Sequence, residues 1–378
     1  MGKEKNQIVK NQHYIPRCIL TNFSNKNNQL YEALVESKQI YLTNITNSMT
    51  EKFTYEHSIF ETNFLEKYFS WIESYLGPAI KDIIKKIDNF KTNNSNFKNI
   101  HNLINGYMRE FLIFYYRSGA LLFEFSHSHN SAEDKVLLMV NKLISSEYIR
   151  NLSETITKNY SFCLFKSEEG NFIVSDQFIS TCALGIKNRF GNISNRQMGL
   201  KAVLILIPIS KYYYAAYYNG KTPAFFIDYR INSLATEQVE AINRVIINNS
   251  YNKCICNNEE ALKLSLTHFE MHFPTNFIAG YKSGKAEGAT VKKEIFYYGE
   301  DEKIMRFFES TEWLKYKGLE RNDKCKCGSG KKFKRCHMDY FTVANKMMNN
   351  IEKDLPSNLY SIDPHATIEL PIDSWAKI

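Results

Sequence analysis

The run Ala202-Val-Leu-Ile-Leu-Ile-Pro-Ile-Ser210-Lys211-Tyr212-Tyr-Tyr-Ala-Ala-Tyr-Tyr218 divides into two β-rich segments, 202–208 and 212–218, joined by Ser210-Lys211. Its β-branched and aromatic residues suit a pleated, buried surface. Upstream, Ser161 to Asp176 reads as a hairpin: FCLFK, a turn over Glu168 to Asn171, then FIVS. Phe225–Asp228 adds a short strand, and a strand-turn-strand fits 29–42. Before this block the period is helical. Phe60, Phe64, Leu65, Tyr68, Phe69, Ile72 and Leu76 recur on one face, so one or two helices lie between Thr50 and Phe90, with a kink expected at Gly77-Pro78. An Asn-rich loop is expected over 91–97, helices over about 98–125 and 131–158, and another from Thr236 to Ser250 through Val239, Ile242, Ile246 and Ile247. Helices followed by a block of strands give an α+β fold over 1–265: a helical N-terminal half packed on an antiparallel sheet. The polar stretch 281–293 reads as a connector within a 266–320 segment of connector and helix. A small C-terminal knuckle rich in Cys and Lys is expected at 321–340, then a helix and tail over 341–378.

The chain has 378 residues, 44% of them hydrophobic and 14% aromatic, which is globular composition and excludes fibrous and disordered classes. The longest strongly apolar run, Ala202 to Ile209, is eight residues, against roughly 20 for a helix that crosses a bilayer. No membrane span is therefore expected, and the polar opening MGKEKNQIVK leads us to expect a cytoplasmic protein. The formal charge of +8 is unevenly spread. Between Lys315 and His337 stand nine basic and two acidic residues, a local +7, so the rest of the chain is nearly neutral. Such density marks a site for an anionic partner such as RNA.

Eight cysteines are present. In a reducing compartment Cys18, Cys163 and Cys182 read as small buried hydrophobes, and Cys254-Ile-Cys256 as a packed strand. Cys325-Lys-Cys327-Gly-Ser-Gly-Lys-Lys-Phe-Lys-Arg-Cys336-His337 is different: it supplies three thiolates and an imidazole, with Gly328 and Gly330 allowing a tight turn between the ligand pairs. Four N/S ligands with no spare position describe one closed, tetrahedral, structural zinc ion per chain. The stretch resembles the SEC-C motif of the SecA translocase. That resemblance implies zinc on Cys325, Cys327, Cys336 and His337, and contact with a protein partner, a ribosome or nucleic acid. Lys324, Lys326, Lys331, Lys332, Lys334 and Arg335 are the candidate contact residues. A module this small needs the metal to fold.

The N-terminal string His13-Tyr14-Ile15-Pro16-Arg17 is not a periodic core pattern. Proline restrains it and would hold His13 and Arg17 in defined directions. The string is followed by Asn22-Phe23, Glu73 on a long helix, Arg117 after an apolar helix, Ser175-Asp176 at a strand end, Pro208 and Ser210 between strands, and Asn243 on a late helix. Together these resemble the bacterial family catalogued as domain of unknown function 4238 over about residues 8–265. The sequence departs from the family pattern after Arg117 and after Asp176. The resemblance implies no assigned activity, and genes of this kind are linked with mobile and defence contexts.

Two roles remain open for the polar set. His13 as acid or base, Arg17 and Arg117 as anion-binding cations, and Glu73 or Asp176 as orienting or cation-holding carboxylates would suit phosphodiester cleavage. The same residues would equally serve as a buried network bracing helices against the sheet, Arg117 paired to Glu73 or Asp176. No Walker loop, G-x-G-x-x-G, H-E-x-x-H or G-x-S-x-G is present. Glu36-Ser-Lys38 falls in an expected turn, His127 and His129 favour a helix C-terminus, and the tyrosines of 212–218 read as core more than as a base-stacking face. One functional reading is an RNA- or ribosome-directed effector, such as a nuclease-like toxin in phage defence. The other is a non-enzymatic adaptor that binds a ribosome, nucleic acid or protein.

Overall fold

Every residue from Val203 to Ser210 is buried, and this strand carries the core of the computed structural model. Described are residues 8–52, 54–90, 94–118, 136–137, 139–140, 143, 146–184, 198, 203–269, 275–282, 285–291, 307, 312–354 and 368–369. They belong to two compact units, Met1–Thr181 with Met198–Met271, and Cys182–Gln197 with His272–Ile378.

In chain order the first part holds β1 (Asn11–His13), α1 (Arg17–Leu20), β2 (Gln29–Leu34), β3 (Gln39–Asn44), β4 (Thr50–Lys52), α2 (Phe64–Asp88), α3 (Asn94–Gly106), α4 (Met108–Tyr116) and α5 (Ser146–Asn159). There follow β5 (Ser161–Ser167), β6 (Val174–Ser175), β7 (Ser180–Ala183), β8 (Val203–Ser210), β9 (Tyr213–Asn219), β10 (Ile231–Leu234), α6 (Thr236–Asn249), β11 (Lys253–Cys256) and α7 (Glu259–Thr267). The second unit has the hairpin β12 (Thr275–Lys282) and β13 (Lys285–Val291), short 3-10 turns at Glu312–Tyr316 and Phe333–Arg335, α8 (Met338–Asp354) and β14 (Ile368–Glu369).

The architecture is α+β, as expected. The larger sheet runs β10-β5-β9-β8-β7 and a smaller one β3-β2-β11-β6. The pairings β5–β9, β9–β8, β2–β3, β2–β11 and β11–β6 are antiparallel, while β10 lies parallel to β5. Helix α3 docks on the larger sheet through Phe97 and His101, whose rings lie 5.7 and 4.5 Å from Phe162, and through Asn105, which accepts from the Tyr217 hydroxyl at 2.7 Å. Tyr213, Tyr214, Tyr217 and Tyr218 are buried, in keeping with a core role and not with a base-stacking face.

Several expectations are corrected. The FCLFK and FIVS segments do not pair: β5 stays in the larger sheet and β6 joins β11 in the smaller one. The reason is where the intervening backbone finds its partners. Ser167 Oγ accepts from Asn171 N at 3.1 Å, Asn243 on α6 accepts from Ile173 N at 3.3 Å and donates to Asn171 O at 2.8 Å, and the Tyr214 hydroxyl donates to Ile173 O at 2.6 Å. Phe225–Asp228 is a turn, with Asp228 taken up by the hydroxyls of Tyr218 and Ser161. The expected connector 281–293 is largely part of the β12–β13 hairpin. Asn94 already begins α3, and a break at Tyr107 separates α3 from α4. Pro78 sits inside α2, which runs from Phe64 to Asp88. Next to it, Gly77 lets α1 come close: a Cβ there would stand 3.1 Å from Cys18 Cβ. His127 and His129 lie outside the described residues.

The redirecting turn rests on Gly170, which has φ of +70° and whose absent Cβ would meet the Tyr212 ring at 2.7 Å. Gly170→Ala should lower stability by about 1–2 kcal/mol, the cost of a left-handed alanine. Adding Tyr212→Ala should return only the steric part. Thermal melts that do not move for Gly170→Ala would sink this account of the turn.

Candidate functional site

Two polar constellations stand out, one in each unit. The first is built on a buried guanidinium. Arg117, just past the C-terminus of α4, is 1% exposed. Its Nη1 donates to Glu73 Oε1 on α2 at 2.7 Å and its Nη2 donates to the backbone carbonyl of His13, which ends β1. The guanidinium carbon lies 4.6 Å over the Phe69 ring and 5.2 Å from Phe114. Tyr55 closes the set by donating to the Arg117 carbonyl at 2.8 Å. A cation without water is costly, and this one is offset by a carboxylate, a carbonyl and two aromatic faces.

His13 is half-buried and its Nε2 lies 3.0 Å from Ile45 O, so this nitrogen donates in the neutral ring. Burial lowers the pKa of the ring, and the charges of Arg117 and Arg17 act in the same direction. Arg17 itself is exposed on α1. Burial also raises the Cys18 thiol to about 12, with Glu73 adding to the shift, so that residue is a neutral packing group.

Asp176 is committed elsewhere. Its carboxylate accepts from the backbone N–H groups of Tyr251 at 2.9 Å, Asn252 at 2.7 Å and Lys253 at 3.0 Å, tying the loop before β11 to β6. The structure therefore brings His13, Glu73 and Arg117 together, leaves Arg17 at the surface beside them, and uses Asp176 as a backbone clamp. Sequence reasoning missed Glu66, which lies seven residues before Glu73 on the same face of α2. Its pKa is raised by burial against the lowering effect of Arg117, and its Oε2 is buried without a hydrogen bond. The helical spacing alone could have found it. Nothing in the sequence pointed to Tyr55.

The second constellation is the Cys/His cluster. The ligand atoms of Cys325, Cys327, Cys336 and His337 all lie within 4.8 Å of one another. Cys325 Sγ to His337 Nδ1 is 3.4 Å, Cys336 Sγ to His337 Nδ1 is 3.2 Å and Cys327 Sγ to Cys336 Sγ is 3.5 Å. The edge of a tetrahedron is about 1.6 times its centre-to-vertex distance, so a metal–sulfur bond of about 2.3 Å requires sulfurs roughly 3.8 Å apart. The four donors thus enclose one tetrahedral ion with small adjustment. Gly328 and Gly330, at φ of +82° and +70°, make the turn between the ligand pairs. Cys325 N donates to Lys331 O at 2.8 Å and Phe333 N to Asp323 O at 2.8 Å, closing the knuckle. Ser329 Oγ, 3.1 Å from Cys327 Sγ, together with the Ser329 backbone, lowers that thiol to about 6, while burial raises Cys325. Imidazole and aromatic rings stack beneath: His337 lies 5.1 Å from Tyr316, which lies 5.7 Å from Phe333 at 7° between planes.

Lys324, Lys326, Lys331, Lys332 and Arg335 are exposed around this cluster and Lys334 is half-buried. Among the described residues none of the six forms an ion pair.

Comparison with known proteins gives two family matches. The model described as Protein of unknown function (DUF4238) matches residues 11–260, and the SEC-C motif matches residues 321–339. No curated protein and no solved structure matches.

The buried network predicts a pH dependence. Because the folded-state pKa of His13 lies below the ordinary 6.5, its contribution to stability is complete above 6.5 and is lost as pH falls below it. Glu66 acts oppositely: with its folded pKa raised above 4.5, its contribution is complete below 4.5 and is lost as pH rises through the folded value. His13→Gln should therefore flatten the fall in melting temperature just below pH 6.5. A variant with the wild-type slope would refute the assignment. Arg117→Met should cost about 3–5 kcal/mol by stranding Glu73, and the Arg117→Met, Glu73→Gln double change less than the sum.

Proposed function

The chain belongs to the DUF4238 family and carries a SEC-C motif, and on that premise we propose that it is an adaptor whose zinc knuckle docks on RNA, free or within a ribosome. The observation that carries this reading is the juxtaposition of a closed Cys3His metal cluster with a rim of cations that have no acidic partners among the described residues. The donor set of three thiolates and one imidazole selects zinc among the common divalent ions. The ion would fix Lys324, Lys326, Lys331, Lys332, Lys334 and Arg335 on one rigid turn, and phosphate groups are the complementary ligands.

The body supports a scaffold in preference to a nuclease-like toxin. Of the two arginines that could meet a phosphoryl group, Arg117 is buried and paired while Arg17 is exposed, and Asp176 spends its carboxylate on three backbone donors. Glu73 is held by Arg117, which also takes the His13 backbone carbonyl, and the His13 ring is engaged by the Ile45 carbonyl at 3.0 Å. Among the described residues no helix is long and apolar enough to cross a membrane.

Metal analysis of the purified chain should find about one zinc per molecule, lost in Cys336→Ser. Binding to single-stranded RNA should weaken as salt rises. In a Lys331→Glu, Lys332→Glu variant the log–log salt slope should shrink by about 0.7 for each phosphate that is no longer neutralised. Unchanged affinity and slope in that variant, with zinc retained, would overturn the reading.

A further inference from the structure

Helix α2 has two faces of different chemistry. Inward it presents Leu65, Phe69, Ile72, Leu76, Ile80, Ile83 and Ile87, and its two N-terminal-half acids, Glu66 and Glu73, act on Arg117 from the same side. Outward runs an unbroken row. Phe64 is 42% and Trp71 62% exposed, and Lys67, Ser74, Pro78, Lys81 and Lys85 are exposed in the same register. The rings form a ladder in two sections: Phe60 stacks on Phe64 at 5.2 Å and 16°, and further along half-buried Tyr68 lies 6.4 Å from Trp71, which lies 5.3 Å from Tyr75. Arg109, exposed on α4, is close enough to act on Tyr68 and Tyr75. The acids nearby are engaged: Glu110 accepts from the Tyr75 hydroxyl, Asp82 pairs with Lys86, and Asp88 accepts from the Tyr213 hydroxyl. Among the described residues Lys67, Lys81 and Lys85 have no ion-pair partner. Glu61, exposed, precedes the helix.

We propose that the outward face of α2, from Phe64 to Lys85, is a binding platform for single-stranded nucleic acid, with bases stacking on Phe64, Tyr68 and Trp71 and phosphates meeting Lys67, Lys81, Lys85 and Arg109. The occupant follows from the combination. The exposed rings of Phe64 and Trp71 offer faces to any base, and the cations of the same row, Lys67 between them and Lys81 and Lys85 further along, complement a backbone charged at every nucleotide. An apolar protein partner would be poorly matched by a row in which three of the seven positions, Lys67, Lys81 and Lys85, are lysines without ion-pair partners among the described residues. The row rises about 1.5 Å per residue, so its length of roughly 30 Å accommodates several nucleotides. This platform shares the nucleic-acid partner of the reading above but none of its residues.

The test uses the full zinc-loaded chain with oligouridine and oligothymidine as probes. Exposed Trp71 gives a direct readout, because base stacking quenches indole fluorescence. Binding should quench the emission that is lost in Trp71→Phe. Trp71→Ala should weaken binding about ten-fold, Trp71→Phe less, and Lys81→Glu several-fold, all with unchanged melting temperature. The same losses should appear in a Lys331→Glu, Lys332→Glu background. Losses from Trp71→Ala with none from the knuckle variant would keep the platform and discard the knuckle as the nucleic-acid site. Binding that Trp71→Ala and Lys81→Glu both leave untouched, or saturation without quenching of Trp71, would overturn the proposal. It would also fall if Trp71→Ala abolished self-association of the chain while leaving oligonucleotide binding unchanged, since the ladder would then be a contact between copies.

Discussion

One buried guanidinium organises the N-terminal half. Arg117 cannot be left without partners in a 1% exposed position, and the partners it uses come from three separated stretches. Glu73 comes from the middle of α2, the His13 carbonyl from the end of β1, and the Tyr55 hydroxyl from the turn before α2 holds the Arg117 carbonyl. Each must be in place for the charge to be tolerated, so the network selects one arrangement of β1, α2 and α4 over others that would bury similar apolar area. The aromatic faces of Phe69 and Phe114 complete the cage without adding charge.

The same constraint explains why α1 can lie against α2. Glycine at position 77 leaves room for Cys18, and Cys18 and the His13 ring both lie within electrostatic reach of Glu73. The carbonyl of Pro16 accepts from both Ile19 N and Leu20 N, starting α1 at the residue where proline's fixed φ suits a helix entry. The order His-Tyr-Ile-Pro-Arg thus encodes a carbonyl that accepts from Arg117, a neutral imidazole and a surface cation in five residues.

Much of this was legible before any coordinates. Helical spacing located α2 and its buried stripe, β-branched runs located β8 and β9, and the spacing of Cys325, Cys327, Cys336 and His337 located the metal cluster, because each of those signals is local. What failed was non-local. The segment after Glu168 has the turn residues of a hairpin, yet Asn243, some 70 residues later, takes its backbone hydrogen bonds, and Val174 and Ser175 join another sheet. Asp176 has the appearance of a site carboxylate at a strand end, and only the arrival of the 251–253 backbone shows that it is a clamp. Glu66 was hidden because a glutamate on an amphipathic helix has an ordinary solvent role until a cation is found facing it.

Charge placement matters in each unit separately. Two acids of α2, Glu66 and Glu73, face Arg117 and Asp82 pairs with Lys86, which leaves Lys67, Lys81 and Lys85 without an ion-pair partner among the described residues, so the brace and the cationic face of α2 share one distribution of charge along 64–88. The knuckle reaches a similar state by different means. Its cations repel one another, and its apolar core of Tyr316, Cys325 and Phe333 is too small to hold them together. Three thiols would give up their protons on binding a divalent ion, which would place net negative charge of the metal–ligand set beneath the lysines. Metal loading would thus stabilise the fold and the cationic rim together, and removal of the metal would release both.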